Sequence, residues 1–120
     1  MSGITNENLA DLLAGFNTHD LDRIMKHFAP DAVMITPAGK DGNGSAIEAA
    51  DKIRATFEAR FAAQPDVRWN DAETFMSGDR AFTSWRVQSP ASGIDIAGCD
   101  VWTFRDGKVA VKDTFYKQPA

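Results

Sequence analysis

Apolar positions recur with a helical period in the first half of the chain and with a period of two in the second. Leu9, Leu12, Leu13 and Phe16 fall at i, i+3, i+4 and i+7, which predicts an amphipathic helix with Thr5 or Asn6 as its N-cap. Asn17-Thr18-His19-Asp20 interrupts that stripe. Asp20 can cap a second helix carrying Leu21, Ile24, Met25 and Phe28, which Pro30 stops. Ala32 to Thr36 is rich in branched residues and predicts a strand, closed by Pro37. Residues 37 to 44 read as a loop. They are not a phosphate-binding loop, because Lys40 is followed by Asp41 instead of Ser or Thr. Ser45-Ala-Ile-Glu48 has the spacing of a capping box. It predicts the start of a third, longer helix with Ile47, Ala50, Ile53, Phe57 and Phe61 as its stripe and Pro65 beyond its end.

From Val67 the period is two. Val67 to Met76 and Arg80 to Ser89 predict strands around a Ser77-Gly78-Asp79 turn, with a looser turn at Pro90 to Gly93. Gly98 to Lys117 predicts a hairpin, because Asp106-Gly107 between alternating apolar runs supplies the two positive φ values of a type I′ turn. The expected order is α-α-β-α-β-β-β-β, one α+β domain over residues 1–120. Three helices pack on a strongly curved, mostly antiparallel sheet and leave a concave space between the layers.

Composition narrows the partners. The 13 basic residues are scattered and the net charge is −4, which argues against nucleic acid or an anionic membrane surface. No stretch approaches the ~18 continuous apolar residues of a membrane span. The opening MSGITNENLADLL has no basic segment leading into an apolar run, so no secretory leader is expected. Cys99 is the single cysteine and forms no intramolecular disulfide, which points to a cytoplasmic protein. His19 and His27 lack the pattern of metal ligands, so no metal is expected.

The candidate chemistry centres on Asp100. Alternation puts it on one strand face with Gly98, Trp102 and Phe104, an unusual place for a carboxylate. To work as an acid or base it needs a pKa raised by burial, or a water beside it. It can equally orient a polar ligand group, or form a structural ion pair with Arg86 or Lys112. Lys112, Thr114 and Tyr116 share one face by alternation; if it is the face of Asp100, then Ser84, Arg86, Asp100, Trp102, Lys112 and Tyr116 gather around one cavity, with Phe82 beside Arg86, and a one-residue register slip at a bulge would exchange the faces. Trp102 is the best candidate among the tryptophans to line it. Trp69 is another, and Trp85 is expected on the opposite face. His27, next to Phe28, can reach the cavity mouth as a general base, or simply favour a helix C-terminus. His19 is expected in solvent. Asp113, of opposite parity with Val111 and Phe115, reads as a rim or interface carboxylate paired with a lysine. Cys99 reads as a small apolar residue.

Asn17-Thr-His-Asp20-Leu-Asp22, Phe28-Ala-Pro-Asp31-Ala-Val and Asp100-Val-Trp-Thr-Phe-Arg-Asp-Gly-Lys together resemble the nuclear-transport-factor-2-like (NTF2-like) superfamily, and within it the SnoaL-like group. The resemblance covers nearly the whole chain. It implies a cone-shaped, cystatin-like fold with a hydrophobic pocket and a homodimer through the outer face of the sheet. It spans polyketide cyclases, ketosteroid isomerases, epoxide hydrolases, dehydratases and non-catalytic binding modules. Asp100 falls where the isomerases place an oxyanion-stabilising acid. Thr36 stands in place of their general base and Leu12 in place of their tyrosine, so that mechanism is not expected. Arg86, Asp100 and Asp113 do not match the epoxide hydrolases' spacing. The single aspartate of the cyclases is a role Asp100 can fill. The expected function is therefore the binding of a small, apolar, oxygenated molecule without a cofactor, with Asp100 as a catalytic acid or base. The alternative is a non-catalytic binding or dimerisation module with a structural Asp100 ion pair. The dimer is expected from parity as well. Val109, Val111 and Phe115 lie on one face and Trp102 and Phe104 on the other, and three helices cover only one face.

Overall fold

A computed structural model describes residues 3–118. The first two residues of the stretch read as leader-free, and the last two of the 1–120 domain, lie outside them. Helix α1 spans Asn6–Thr18, α2 Leu21–Met25 and α3 Ala50–Ala63. The strands are β1 Phe28–Thr36, β2 Ser45–Glu48, β3 Arg68–Ser77, β4 Arg80–Ser89, β5 Ile94–Arg105 and β6 Lys108–Tyr116, with a 3-10 turn at Pro90–Ser92. They form one curled, open sheet in the order β2-β1-β6-β5-β4-β3. All neighbours are antiparallel except β1 and β6. The class is α+β as expected, with the helices on one face of the sheet.

The caps form where short polar side chains stand. Thr5 accepts from the Asn8 N–H at 3.0 Å and Asp20 from the Arg23 N–H at 3.1 Å. Leu9, Leu12 and Phe16 of α1, Ile24 of α2, and Ile53, Phe57 and Phe61 of α3 are buried in one core with Ala32, Met34, Trp102, Phe104 and Val109 of the sheet. Asp106 and Gly107 hold φ of 54° and 77°, so the β5–β6 turn has the expected geometry.

Two segments differ from the sequence reading. Ser45 to Glu48 do not cap a helix. They pair as β2 with Thr36 to Val33 of β1. Thr36 Oγ1 accepts from the Ser45 N–H, and Gly44 turns the chain at φ 78°. Edge pairing therefore outcompetes the capping box, and α3 starts at Ala50 behind an Ala49 N-cap with φ 84° and no side-chain cap. Helix α2 also ends early. The His27 carbonyl accepts from the Val109 N–H at 2.7 Å, so β6 captures the chain as strand at Phe28. Pro30 then sits inside β1, where the register against β6 shifts between Phe28 and Val33, as a residue without an N–H requires. The observed order is α-α-β-β-α-β-β-β-β.

Parity also needs correcting at Val109. The β5–β6 register shifts between Thr103 and Phe104, so Val109 pairs with Phe104 and turns inward, fully buried. Val111 and Phe115 remain on the outer face. Among the described residues no helix is long and apolar enough to cross a membrane.

Candidate ligand-binding site

The inner face of β5 and β6 carries the polar centre of an otherwise apolar interior. Asp100 pairs across the ladder with Thr114 and with Thr83 of β4, which sets all three on the helix side. Asp100 is 4% exposed. Its Oδ1 accepts from Lys112 Nζ at 2.9 Å and Thr114 Oγ1 at 2.6 Å, and its Oδ2 from Trp85 Nε1 at 2.9 Å. Lys112 Nζ also donates to Thr114 Oγ1 at 2.8 Å. The ammonium lies 5.6, 5.7 and 5.9 Å from the ring centres of Phe16, Trp102 and Phe57, so aromatic faces replace part of its hydration.

This ion pair separates two hollows. The larger, about 220 Å³, has a buried floor of Phe16, Met34, Phe57, Lys112 and Thr114 and a half-buried rim of Thr36, Pro37, Thr56, Arg60, Trp69 and Tyr116. The smaller, about 30 Å³, has room for a water or two between Asp100, Leu13, Phe16, Asn17, Trp69, Ala72 and Trp85. Phe16 and Trp69 wall both. Asn17 fixes Trp69 from α1. Its Oδ1 accepts from the Trp69 N–H at 2.8 Å and its Nδ2 donates to the Trp69 carbonyl at 2.9 Å. At the rim, Arg60 Nη1 donates to Tyr116 Oη at 3.2 Å, Arg60 Nε donates to Gln64 Oε1, and the guanidinium lies 5.7 Å from the Trp69 ring centre.

Of the residues expected around Asp100, Lys112 and Tyr116 are there. Trp102 packs behind Lys112 but lines neither hollow. It is fully buried, stacked on Phe104, and donates to Thr83 Oγ1 at 3.2 Å. Phe82, Ser84 and Arg86 are on the other side of the sheet. Because Thr83 opposes Asp100, the even-numbered residues of β4 face outward and Trp85, expected outside, faces in. Arg86 forms a surface pair with Asp95 that raises the guanidinium pKa and lowers that of the carboxylate. The Trp85 indole reaches Asp100 by crossing Gly98, where a Cβ would lie 2.7 Å from its ring.

His27 does not reach a cavity mouth. It is buried with Nε2 at 2.7 Å from Asp11 Oδ2. His27, then Arg23 and Lys26, hold the Asp11 carboxyl well below the usual carboxylate range. Phe28 packs edge-on to Phe57 in the core. His19 is only partly solvated. Its ring stacks on Phe61 at 4.1 Å with Nε2 2.8 Å from the Val67 carbonyl oxygen. Asp113 points outward with no ion pair among the described residues, and burial, then Asp100, pushes its carboxyl above the usual range. Cys99 is half-buried on the outer face, where burial pushes its thiol up.

Arg60 and Asn17 are the two polar anchors of Trp69 that the sequence pattern does not single out. Arg60 follows Ile53 and Phe57 at i+7 and i+3, a polar residue on an apolar stripe, and that was the signal available. Asn17 stands at the end of α1, where its pairing with Trp69 depends on a strand 52 residues away.

No curated protein matches the sequence. Among solved structures, the chain is similar to a candidate polyketide cyclase from Sinorhizobium meliloti, with 20% identity over 92% of this chain and 94% of that one and a TM-score of 0.77. An NTF2-like protein of unknown function from Mesorhizobium loti has 25% identity, coverage of 93% and 89%, and a TM-score of 0.81. A SnoaL-like protein of unknown function from Burkholderia thailandensis has 21% identity, coverage of 96% and 99%, and a TM-score of 0.78. The family described as SnoaL-like domain matches residues 9–112, so the fold and the sequence agree that this chain belongs to the SnoaL-like domain family.

Proposed function

We propose that the protein binds a small, mainly apolar molecule bearing an oxygen, with its body in the 220 Å³ hollow and its oxygen at the floor beside Lys112 and Thr114. One observation carries this reading: a buried ammonium and a hydroxyl converge on a cavity floor whose other residues, Phe16, Met34 and Phe57, are apolar, the arrangement by which a preformed site orients a ligand. Asp100 fixes Lys112 in that wall. Calorimetric titration with 2-naphthol tests the reading. Saturable binding is expected, and Thr56→Phe, which fills the cavity without touching the ion pair, should weaken it by about tenfold or more. Equal binding by that variant, or no saturable heat, overturns the proposal.

A second, catalytic reading rests on the smaller hollow. Three donors occupy about three of the four acceptor positions of the Asp100 carboxylate, and the hollow beside it has room for a water or two. Asp100 would then move a proton through that water to or from a carbon next to a ligand carbonyl, the step that cyclases and isomerases share. Deuterium exchange into the C1 position of 2-tetralone, followed by NMR, tests it. Catalysed exchange that is lost in Asp100→Asn supports the reading, and no acceleration by the wild type sinks it.

The outer face is the place for a second copy of the chain. Phe75, Phe82 and Phe115 are 63%, 39% and 52% exposed there, and the same face carries a groove of about 560 Å³. A homodimer is expected in sedimentation at micromolar concentration, and a monomeric mass would count against this assignment.

A further inference from the structure

The charge of the larger hollow does not balance. Asp and Glu are absent from its wall, and two cations are present. Lys112 is neutralised by Asp100 at 2.9 Å. Arg60 is not neutralised: no carboxylate forms an ion pair with it among the described residues. Its polar partners, Gln64 and Tyr116, are both uncharged. The chain as a whole is acidic, at −4, so this local excess of one positive charge is not a reflection of bulk composition.

The guanidinium is also held in place. Gln64 takes its Nε–H, Tyr116 takes an Nη1–H, and the Trp69 ring lies under it. Two of five N–H donors are thereby used, and three remain in a fixed plane at the rim of the hollow. A planar, pre-oriented fork of this kind matches a carboxylate better than any neutral oxygen. The floor is a poor place for the same anion, since a carboxylate beside Lys112 would also meet the Asp100 charge. Phe16 and Phe57 in the floor and Trp69 at the rim give the hollow aromatic walls suited to a flat ring.

Building on the ligand-binding reading above, we infer that the ligand is an aromatic monocarboxylate. It sits with its carboxylate paired to Arg60 at the rim and its ring among Phe16, Phe57 and Trp69. The charged end faces the mouth, and any neutral oxygen on the far end meets Lys112 and Thr114.

The test compares 2-naphthoate with its neutral counterpart 2-naphthamide by calorimetry, on wild type, Arg60→Gln and Arg60→Lys. In the wild type the carboxylate should bind about tenfold or more tighter than the amide, and its affinity should fall as salt rises. In Arg60→Gln that preference should vanish while amide binding stays within about threefold of wild type. Arg60→Lys keeps the charge without the fork, so part of the preference should survive, and this variant serves if Arg60→Gln does not fold. Equal binding of the two probes by the wild type overturns the inference and leaves the ligand site standing. A preference that persists undiminished in Arg60→Gln overturns it too, by assigning the anion elsewhere. If neither probe binds, the ligand-binding reading fails and this inference fails with it.

Discussion

Removing the charge of Asp100 should destabilise the fold by about 3 kcal/mol or more. The Lys112 and Asp100 side chains are 11% and 6% exposed, so in Asp100→Asn the ammonium stays buried without its counter-ion. Breaking a buried pair from one side costs about 3–5 kcal/mol. The amide can keep one oxygen towards Lys112 and Thr114, but its NH₂ then faces the Trp85 indole N–H, donor against donor. An unsatisfied buried donor adds about 1–3 kcal/mol, part of which overlaps the first cost because the same side chain rearranges. The aromatic rings around Lys112 return a fraction, which holds the expected value near the lower bound. For a domain of this size 3 kcal/mol corresponds to a melting point lower by about 12 °C. Urea unfolding at neutral pH, followed by tryptophan fluorescence, measures it. Asp22→Asn is the control. Its pair with Arg54 is 89% and 42% exposed on the two side chains, and such a pair is worth at most about 1 kcal/mol. A loss below about 1 kcal/mol for Asp100→Asn would refute the reasoning, because it would mean that water reaches Lys112 and screens it.

Gly98→Ala should cost about 2 kcal/mol, since its Cβ would lie 2.6 Å from the Phe115 carbonyl oxygen and 2.7 Å from the Trp85 ring, and a shift in Trp85 emission should accompany the loss in a denaturant titration. Ala49→Gly should raise stability by about 1 kcal/mol by relieving the φ of 84° at the start of α3, and an unchanged urea midpoint would argue against strain there. Asp66 accepts from Ser89 Oγ at 2.5 Å and the Ala91 N–H at 2.8 Å, which lowers its pKa, so its contribution is present above pH 3.8 and is lost as pH falls through the folded value below that; Asp66→Asn should therefore show a shallower acid limb in a stability–pH profile. Asp113, pushed up chiefly by burial, has the opposite sign. It favours the fold below pH 3.8 and loses that advantage as pH rises through its folded value, so Asp113→Asn should gain stability over wild type at pH 7 but not at pH 3.

The elements that local chemistry decides were readable in the sequence. Thr5 and Asp20 cap their helices because a short side chain beside an orphan N–H suffices, and Asp106-Gly107 turns the hairpin because both residues tolerate positive φ. Misreadings arose where a distant strand intervened. Ser45 to Glu48 carry a genuine capping pattern, yet β1 offers four ladder partners instead. Phe28 continues a helical stripe, yet β6 offers its backbone a parallel partner. Local propensity is worth tenths of a kcal/mol per residue, and a completed sheet edge with its buried side chains outweighs it.

The site was half readable for a related reason. Alternation within one strand puts Lys112, Thr114 and Tyr116 on one face of β6, and they join Asp100 only through the β5–β6 register, which shifts between Thr103 and Phe104. Alternation across strands depends on register, and register between β4 and β5 is set by the turn at Pro90 to Gly93, which has no single geometry in sequence. One residue of difference there exchanges Arg86 for Trp85 beside the carboxylate. The exchange alters the chemistry, not just the packing. With Arg86 inside, Asp100 would face two cations and the interior would carry a positive charge at its centre. With Trp85 inside, the centre is a neutral Asp100–Lys112 pair capped by an indole N–H, and Arg86 pairs with Asp95 on the outer face. The pairing of Thr83 with Asp100 therefore sets the polarity at the centre of the interior.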